Sequence, residues 1–163
     1  RLQGAGLVLM LEQTARRLEL ARAILGDERL QYVETQQTDA TAAVKRATEG
    51  FGADVAIVAC SSTDAQRDAM GMAAPRARVL YFGGLPKGTS HISFPSNVLH
   101  YREVQVHGSY ASRHQDQVRA LDMLASDAGG ICSIVSDVIG LDEAPDAFDR
   151  IRTGSALKVV VAP

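Results

Sequence analysis

The chain has 163 residues, 46% hydrophobic, 22% charged and only 5% aromatic, with no tryptophan, a length that suits one domain and can bury a core. Seventeen Lys and Arg against nineteen Asp and Glu leave a net charge of −2, which disfavours nucleic acid or an anionic membrane as partner. Cys60 and Cys132 cannot build a disulfide framework or a zinc knuckle; no apolar run reaches the roughly 18–20 residues of a membrane span, no signal peptide is read at the start, and the expectation is a soluble, cytoplasmic protein.

Short apolar runs alternate with helical stretches, the pattern of β-α-β units around a parallel sheet. Leu7 to Leu11 is apolar on both faces, as a buried parallel strand is, and it ends in Glu12. Thr14 is placed to N-cap a helix from Ala15 to about Leu25, with Leu18, Ala21 and Leu25 on one face and Gly26 as the stop. Tyr32-Val33 reads as a short strand. Thr38 to Glu49 reads as a helix with Ala43, Val44 and Ala47 inward, closed by Gly50-Phe51-Gly52.

Val55 to Ala59 has the clearest pattern of a buried strand and runs into Cys60-Ser61-Ser62-Thr63. A helix is expected from Asp64 to Ala74, ended by Pro75, and a strand from Arg78 to Phe82, stopped by Gly83-Gly84. Pro86, Gly88 and Pro95 then punctuate a stretch holding one short extended piece, His91 to Phe94. A strand follows at Glu103 to His107 and a helix at Gln115 to Ser126. The last segment holds an apolar run at Ile134 to Ile139, a helix from Leu141 to Arg152 and a strand at Leu157 to Val161.

In an open parallel sheet, ligands gather outside the carboxyl ends of the strands. The residues there are Glu12, Cys60-Ser61, Gly83-Gly84-Leu85 and Gly108-Ser109-Tyr110. An acidic side chain ending such a strand either accepts hydrogen bonds from adenosine ribose hydroxyls, favouring NAD over NADP, or is a solvated carboxylate. Position alone leaves Glu12 open between the two. Arg16, Arg17 and Arg22 compete for a supporting role beside it. Gly83 and Gly84 either let a cofactor approach the backbone or serve a turn that needs positive φ. The histidines at 91, 100, 107 and 114 lack metal-ligand spacing, and no Gly-x-Ser-x-Gly elbow is present. Gly4-Ala5-Gly6 precedes the first strand and reads as a helix C-cap, not as a phosphate loop.

Taken in order, these segments resemble the C-terminal half of the medium-chain dehydrogenase/reductase superfamily, zinc-dependent alcohol dehydrogenase group, near the polyol and threonine dehydrogenases. The likeness is carried by Leu-Glu-Gln-Thr-Ala-Arg-Arg-Leu-Glu-Leu-Ala at 11–21, Gly-Ala-Asp-Val-Ala-Ile-Val at 52–58 and Val-Leu-Tyr-Phe-Gly-Gly-Leu-Pro-Lys-Gly at 79–88. It continues in Leu-His-Tyr-Arg-Glu-Val at 99–104, Gly-Ser-Tyr at 108–110, Leu-Asp-Glu-Ala-Pro-Asp-Ala-Phe at 141–148 and Gly-Ser-Ala-Leu-Lys-Val-Val at 154–160.

The resemblance implies an α/β fold: a Rossmann-like, doubly wound parallel sheet, lacking here its first strand and glycine loop. Residues 1–128 would be a partial NAD-binding domain and 129–163 a segment of the catalytic domain. It implies that Glu12 binds the adenosine ribose with Arg17 beside it, and that Cys60 and Ser61 lie under the adenosine half. Gly84, Leu85, Ser109, Tyr110 and Ala111 would meet the nicotinamide through backbone atoms, and Lys158 would reach the pyrophosphate. Zinc belongs to the parent family, but its ligands belong to a catalytic domain not present here.

The implied activity is hydride transfer between a secondary alcohol or polyol and NAD, with this isolated chain expected to be inactive as part of such an enzyme. The alternative is a non-catalytic nucleotide-binding or oligomerisation module derived from that fold. A homo-oligomer is expected through the edge strand at His91 to Phe94. With no initiator methionine before Arg1 and no first strand, the open sheet is expected to rearrange, dimerise or exchange strands. Two local departures from the family pattern are Pro75-Arg76-Ala77, where Pro-Gly-Gly is usual, and Gly26-Asp27-Glu28-Arg29.

Overall fold

The structure is a computed structural model that describes residues 4–26, 28–128 and 130–162. In chain order its elements begin β1 (Val8–Glu12), α1 (Ala15–Leu25), β2 (Leu30–Glu34), α2 (Ala40–Ala47), β3 (Ala53–Val58), α3 (Thr63–Met72) and β4 (Ala73–Tyr81). They continue with α4 (Asn97–Arg102), β5 (Gln105–Gly108), α5 (His114–Ala125), β6 (Val135–Ile139), α6 (Ala144–Arg152) and β7 (Lys158–Val161). Two compact units form: one from the residues up to Gln37 together with those from Ser112 onward, the other from Thr38–Ala111. No helix among the described residues is long and apolar enough to cross a membrane.

In the first unit β1 and β2 pair in parallel, from Val8 opposite Leu30 to Glu12 opposite Glu34. Helix α1 buries Leu18 and Ala21, the face its periodicity indicates. Gly26 ends the helix in the left-handed region and donates its N–H to the Arg22 carbonyl at 3.1 Å. Thr14 stands at the N-cap, yet its side chain makes no capping bond. Strand β1 is only half-buried along its length, a correction to the fully buried strand its composition suggests. Strands β6 and β7 form a second parallel pair, tied by the Ser136 hydroxyl, which accepts from the Leu157 N–H at 3.0 Å. Arg150 on α6 donates to Asp137 at 2.8 Å. The helix-end reading of Gly4-Ala5-Gly6 rests partly on residues 1–3, which lie outside the described residues.

The second unit is a three-stranded parallel sheet in the order β3-β4-β5. Its core is Val58, Ala69, Met70, Ala73, Ala74, Ala77, Val79 and Val104. The helices before β3 and β4 carry side-chain N-caps: Asp39 accepts from the Ala42 N–H at 2.6 Å and Ser62 from the Ala65 N–H at 3.2 Å.

Three expectations need correction in this unit. Helix α3 ends at Met72, and Pro75 lies inside β4. The register jumps from Ala53 opposite Ala73 to Val55 opposite Arg78, so Pro75-Arg76-Ala77 bulges out where proline's missing N–H costs no ladder bond. Strand β3 is covered on one face only. Val55 and Ile57 are 44% and 62% exposed, because the core lies on the side of Ala56 and Val58 and successive side chains alternate. Residues 91–94, expected as an edge strand that pairs between copies, carry no strand pairing within the chain among the described residues. A strand needs a neighbour for its backbone groups, and this stretch pairs with none here, although Phe94 packs on the core. Finally, the strand expected from Glu103 is delayed: the short helix α4 ends at Glu103 with φ +53, and β5 starts only at Gln105.

Among the described residues β1 hydrogen-bonds only to β2, and β3 only to β4. Each of the two strands therefore carries one edge without a neighbouring strand. The fold is α/β, built of parallel strands with helical connections.

Candidate functional site

Every candidate strand-end residue from the sequence lies just beyond, or at, the carboxyl end of a parallel strand. In the first unit Glu12 closes β1. One carboxylate oxygen, Oε1, accepts from the Gln13 and Thr14 N–H groups at 2.8 and 3.0 Å. These bonds order the turn that leads into α1 without capping the helix itself. The other oxygen, Oε2, lies 3.7 Å from Arg17 Nη1. The carboxylate is thus fixed through one oxygen and keeps acceptor capacity on the other.

Arg17 is the arginine that sits beside Glu12, which separates it from its two competitors. Arg22 lies over the Tyr32 ring instead, 4.9 Å from its centroid. Arg17 also donates from Nη2 to the Ile151 carbonyl of α6 at 3.1 Å. Gly154 comes close beneath it, so that a Cβ there would lie 3.4 Å from Arg17 Cγ. The guanidinium therefore joins the end of β1 to the end of α6, a structural task its sequence position did not announce. A cleft of about 430 Å³ opens alongside, walled by Met10, Leu11, Ile24 and Ile151, with Glu12 and Arg17 in its lining. Lys158 opens β7 opposite Val135, its side chain exposed.

In the second unit Cys60 and Ser61 follow β3 after Ala59, and Cys60 is exposed. Gly83 follows β4 and lies against Cys60: a Cβ on Gly83 would fall 2.5 Å from the Cys60 carbonyl oxygen and 2.9 Å from its nitrogen. The φ of Gly83 is not positive, nor is that of Gly84. Glycine is required at 83 because two backbone segments of the protein itself touch there, which neither sequence reading foresaw. Phe82 and Gly83 both donate their N–H groups to the Val58 carbonyl, at 3.1 and 2.8 Å. Gly84 faces open space, with nothing within 4 Å of a Cβ built on it. Leu85 beyond it is half-buried.

After β5, the Ser109 N–H donates to the Tyr81 carbonyl at 3.1 Å. Tyr110 is 99% exposed, and Ala111 takes φ +56. Sequence reasoning missed the groups that hold these loops. The Tyr81 hydroxyl donates to the Gln66 backbone carbonyl at 3.1 Å, and the Gln66 side chain donates to the Gly83 carbonyl at 3.1 Å. Burial pushes the Tyr81 phenol above its usual range. The signal for Gln66 was available: it sits three, four and seven residues before Ala69, Met70 and Ala73, a polar side chain in an apolar helical stripe.

The described residues contain no group of three or more His, Cys, Asp or Glu side chains able to hold a metal ion. His100 packs edge-on against Tyr101, with ring centroids 4.7 Å apart.

Residues 1–126 match the family model described as zinc-binding dehydrogenase. D-xylulose reductase A of Aspergillus niger is 29% identical over 114 residues, which is 69% of this chain and 31% of that protein. Sorbitol dehydrogenase of Halalkalibacterium halodurans is 24% identical over 131 residues, 80% of this chain and 38% of that protein. The chain thus spans about a third of the length of the curated relatives it matches. Among solved structures, alcohol dehydrogenase from Thermus sp. ATN1 superposes with a TM-score of 0.85 at 24% identity, covering 99% of this chain and 46% of that one. A candidate zinc-binding dehydrogenase from Sinorhizobium meliloti 1021, solved with NADP, gives a TM-score of 0.86 at 26% identity, with 99% and 46% covered. These superpositions show the fold to be the Rossmann-like α/β fold of alcohol dehydrogenases.

Proposed function

Because the chain belongs to the zinc-binding dehydrogenase family, we propose that it is the cofactor-binding part of a cytoplasmic, NAD-dependent alcohol or polyol dehydrogenase. The observation that carries this reading is the placement of the candidate residues. Glu12, Cys60-Ser61, Gly83 to Leu85 and Ser109 to Ala111 all stand at the carboxyl ends of parallel strands, where nucleotides bind in sheets of this kind.

In the first unit Glu12 accepts the adenosine ribose hydroxyls through Oε2, the oxygen not taken by backbone N–H groups. Its negative charge disfavours a 2′-phosphate, which sets the preference for NAD. Arg17 holds Glu12 in place and Lys158 supplies charge for a pyrophosphate. In the second unit Cys60 and Ser61 support the adenosine half, and the backbone of Gly84, Leu85, Ser109, Tyr110 and Ala111 meets the nicotinamide. NAD, when bound, supplies the acceptor for a hydride from a secondary alcohol carbon. The described residues do not fit a zinc ion, so no step through zinc is assigned to them. Residues 129–163 are proposed to belong with a catalytic domain, and the 163-residue chain alone is expected to turn over neither sorbitol nor threonine with NAD.

Thermal melting with NAD tests the reading, since a ligand at tenfold its dissociation constant stabilises by about 1.4 kcal/mol. A rise in melting temperature is expected at millimolar NAD, and Glu12→Ala is expected to remove it. An undiminished shift in Glu12→Ala would take Glu12 out of the site. NAD-dependent alcohol turnover by the chain alone would overturn the inactive assignment.

The exposed Val55 and Ile57 on the open face of β3 favour a second reading, a non-catalytic nucleotide-binding or oligomerisation module, with His91 to Phe94 pairing between copies. A flat melting temperature with NAD, together with a mass that grows with concentration in light scattering, would select it.

A further inference from the structure

Gln66 is 6% exposed on the inward face of α3, beside Ala69 and Met70. An unpaired amide there would be costly. Its Nε2 instead donates to the Gly83 carbonyl at 3.1 Å, while its own backbone carbonyl accepts from Tyr81. The N–H of Gly83 is held from the other side by Val58, at 2.8 Å. Gly83 is thus clamped at both polar groups, by β3 through its N–H and by α3 through its carbonyl. The next N–H, that of Gly84, makes no hydrogen bond among the described residues. It shares a rigid peptide plane with the Gly83 carbonyl and points the opposite way.

We propose that Gln66 is a positioning residue: by drawing the Gly83 carbonyl toward α3, it aims the Gly84 N–H away from α3, as a donor for an acceptor group on the bound nucleotide. This rests on the reading above, in which the Gly84 and Leu85 backbone meets the nicotinamide. The ligand class it selects is one that presents a carbonyl or similar acceptor to that donor, as the nicotinamide carboxamide does.

The test uses the 163-residue chain, with Gln66→Leu and Gln66→Glu compared by amide NMR and by NAD titration. Gln66→Leu keeps the shape and removes the donor. The Gly84 amide resonance is expected to move, and NAD affinity to fall about fivefold, the equivalent of one neutral hydrogen bond. Resonances of the first unit should stay in place.

Gln66→Glu supplies a readout that mere packing would not move. Burial raises the carboxyl pKa, so at about pH 5 the acid form donates to the Gly83 carbonyl as Gln66 does, and at about pH 8 the carboxylate repels it. Affinity within about twofold of the parent chain is expected at the lower pH, with a loss of tenfold or more at the higher, while the parent changes little. Identical Gly84 resonances in the parent and both variants would overturn the proposal, as would an affinity indifferent to both substitutions. If the parent chain does not bind NAD, the nucleotide reading fails, and the pH-dependent Gly84 resonance of Gln66→Glu alone decides whether Gln66 sets this peptide.

Discussion

The strand end of the first unit and that of the second are held by different physics. Glu12, closing β1, is secured by hydrogen bonds to its own next two residues and by a part-exposed ion pair with Arg17. Gly83, following β4, is secured by backbone packed on the backbone of Cys60 and by a buried amide from Gln66. An ion pair near water is worth at most about 1 kcal/mol and is screened by salt. Backbone contact leaves no room for an added atom. One strand end is adjustable and the other is rigid.

The largest effect is expected where rigidity is greatest. Gly83→Ala places a methyl within 3 Å of three backbone atoms of Cys60 and should destabilise the chain by about 3 kcal/mol in urea unfolding. A loss under about 1 kcal/mol would mean that the two segments can part, and the contrast would weaken. Gly154→Ala is the matching change in the first unit. There the new methyl meets mostly the flexible Arg17 side chain at 3.4 Å, so the cost is that of φ +75 alone, about 1 kcal/mol. Equal losses for the two variants would erase the distinction.

Arg76→Gly should act in the opposite direction. Arg76 holds φ +64 in the β4 bulge, and its ion pair with Glu103, at 2.8 Å, is largely exposed. Relief of left-handed strain of about 1–2 kcal/mol exceeds the lost pair and the added chain entropy, for a net gain of about 0.5 kcal/mol. A destabilised variant would show that the pair holds the bulge.

The smallest effect concerns the start of α5. A side-chain hydrogen bond from Arg113, then the Arg113 backbone N–H, holds the exposed Asp116 carboxyl at about 2, below its ordinary 3.8. The folded pKa is depressed, so this contribution is full above pH 3.8 and fades as pH falls towards 2. Helix α5 should fray over that interval, read by amide NMR, and Asp116→Asn should remove the dependence. Fraying of the same depth in Asp116→Asn would assign it to other groups.

Much of this was legible in the residues. The limits of α1, the alternation of strands with helices and the placement of candidate residues at strand ends follow from short-range pattern, because strand and helix periodicity are local properties. Other features were not legible because they depend on contacts between distant residues. Pro75 signals a stop, and only the pairing of β3 with β4 reveals that a bulge takes it up. Glycine at 83 has two ordinary explanations, and the actual reason was neither: it required knowing that the Cys60 backbone lies against it. Spacing alone did not separate Arg17 from Arg16 and Arg22; the resemblance pointed to it, but its bond to Ile151, over a hundred residues later, was invisible in the linear pattern.

By itself the sequence determined the α/β class, the family and the strand ends at which the candidate residues stand. These rest on periodicity and on ordered motifs. The tertiary structure alone decided that Arg17 also ties the end of β1 to α6, why residue 83 has no side chain, and that a glutamine in the core of α3 holds the loop. Those are questions of which atoms compete for one volume or one hydrogen bond, and a linear pattern carries no distances across the fold.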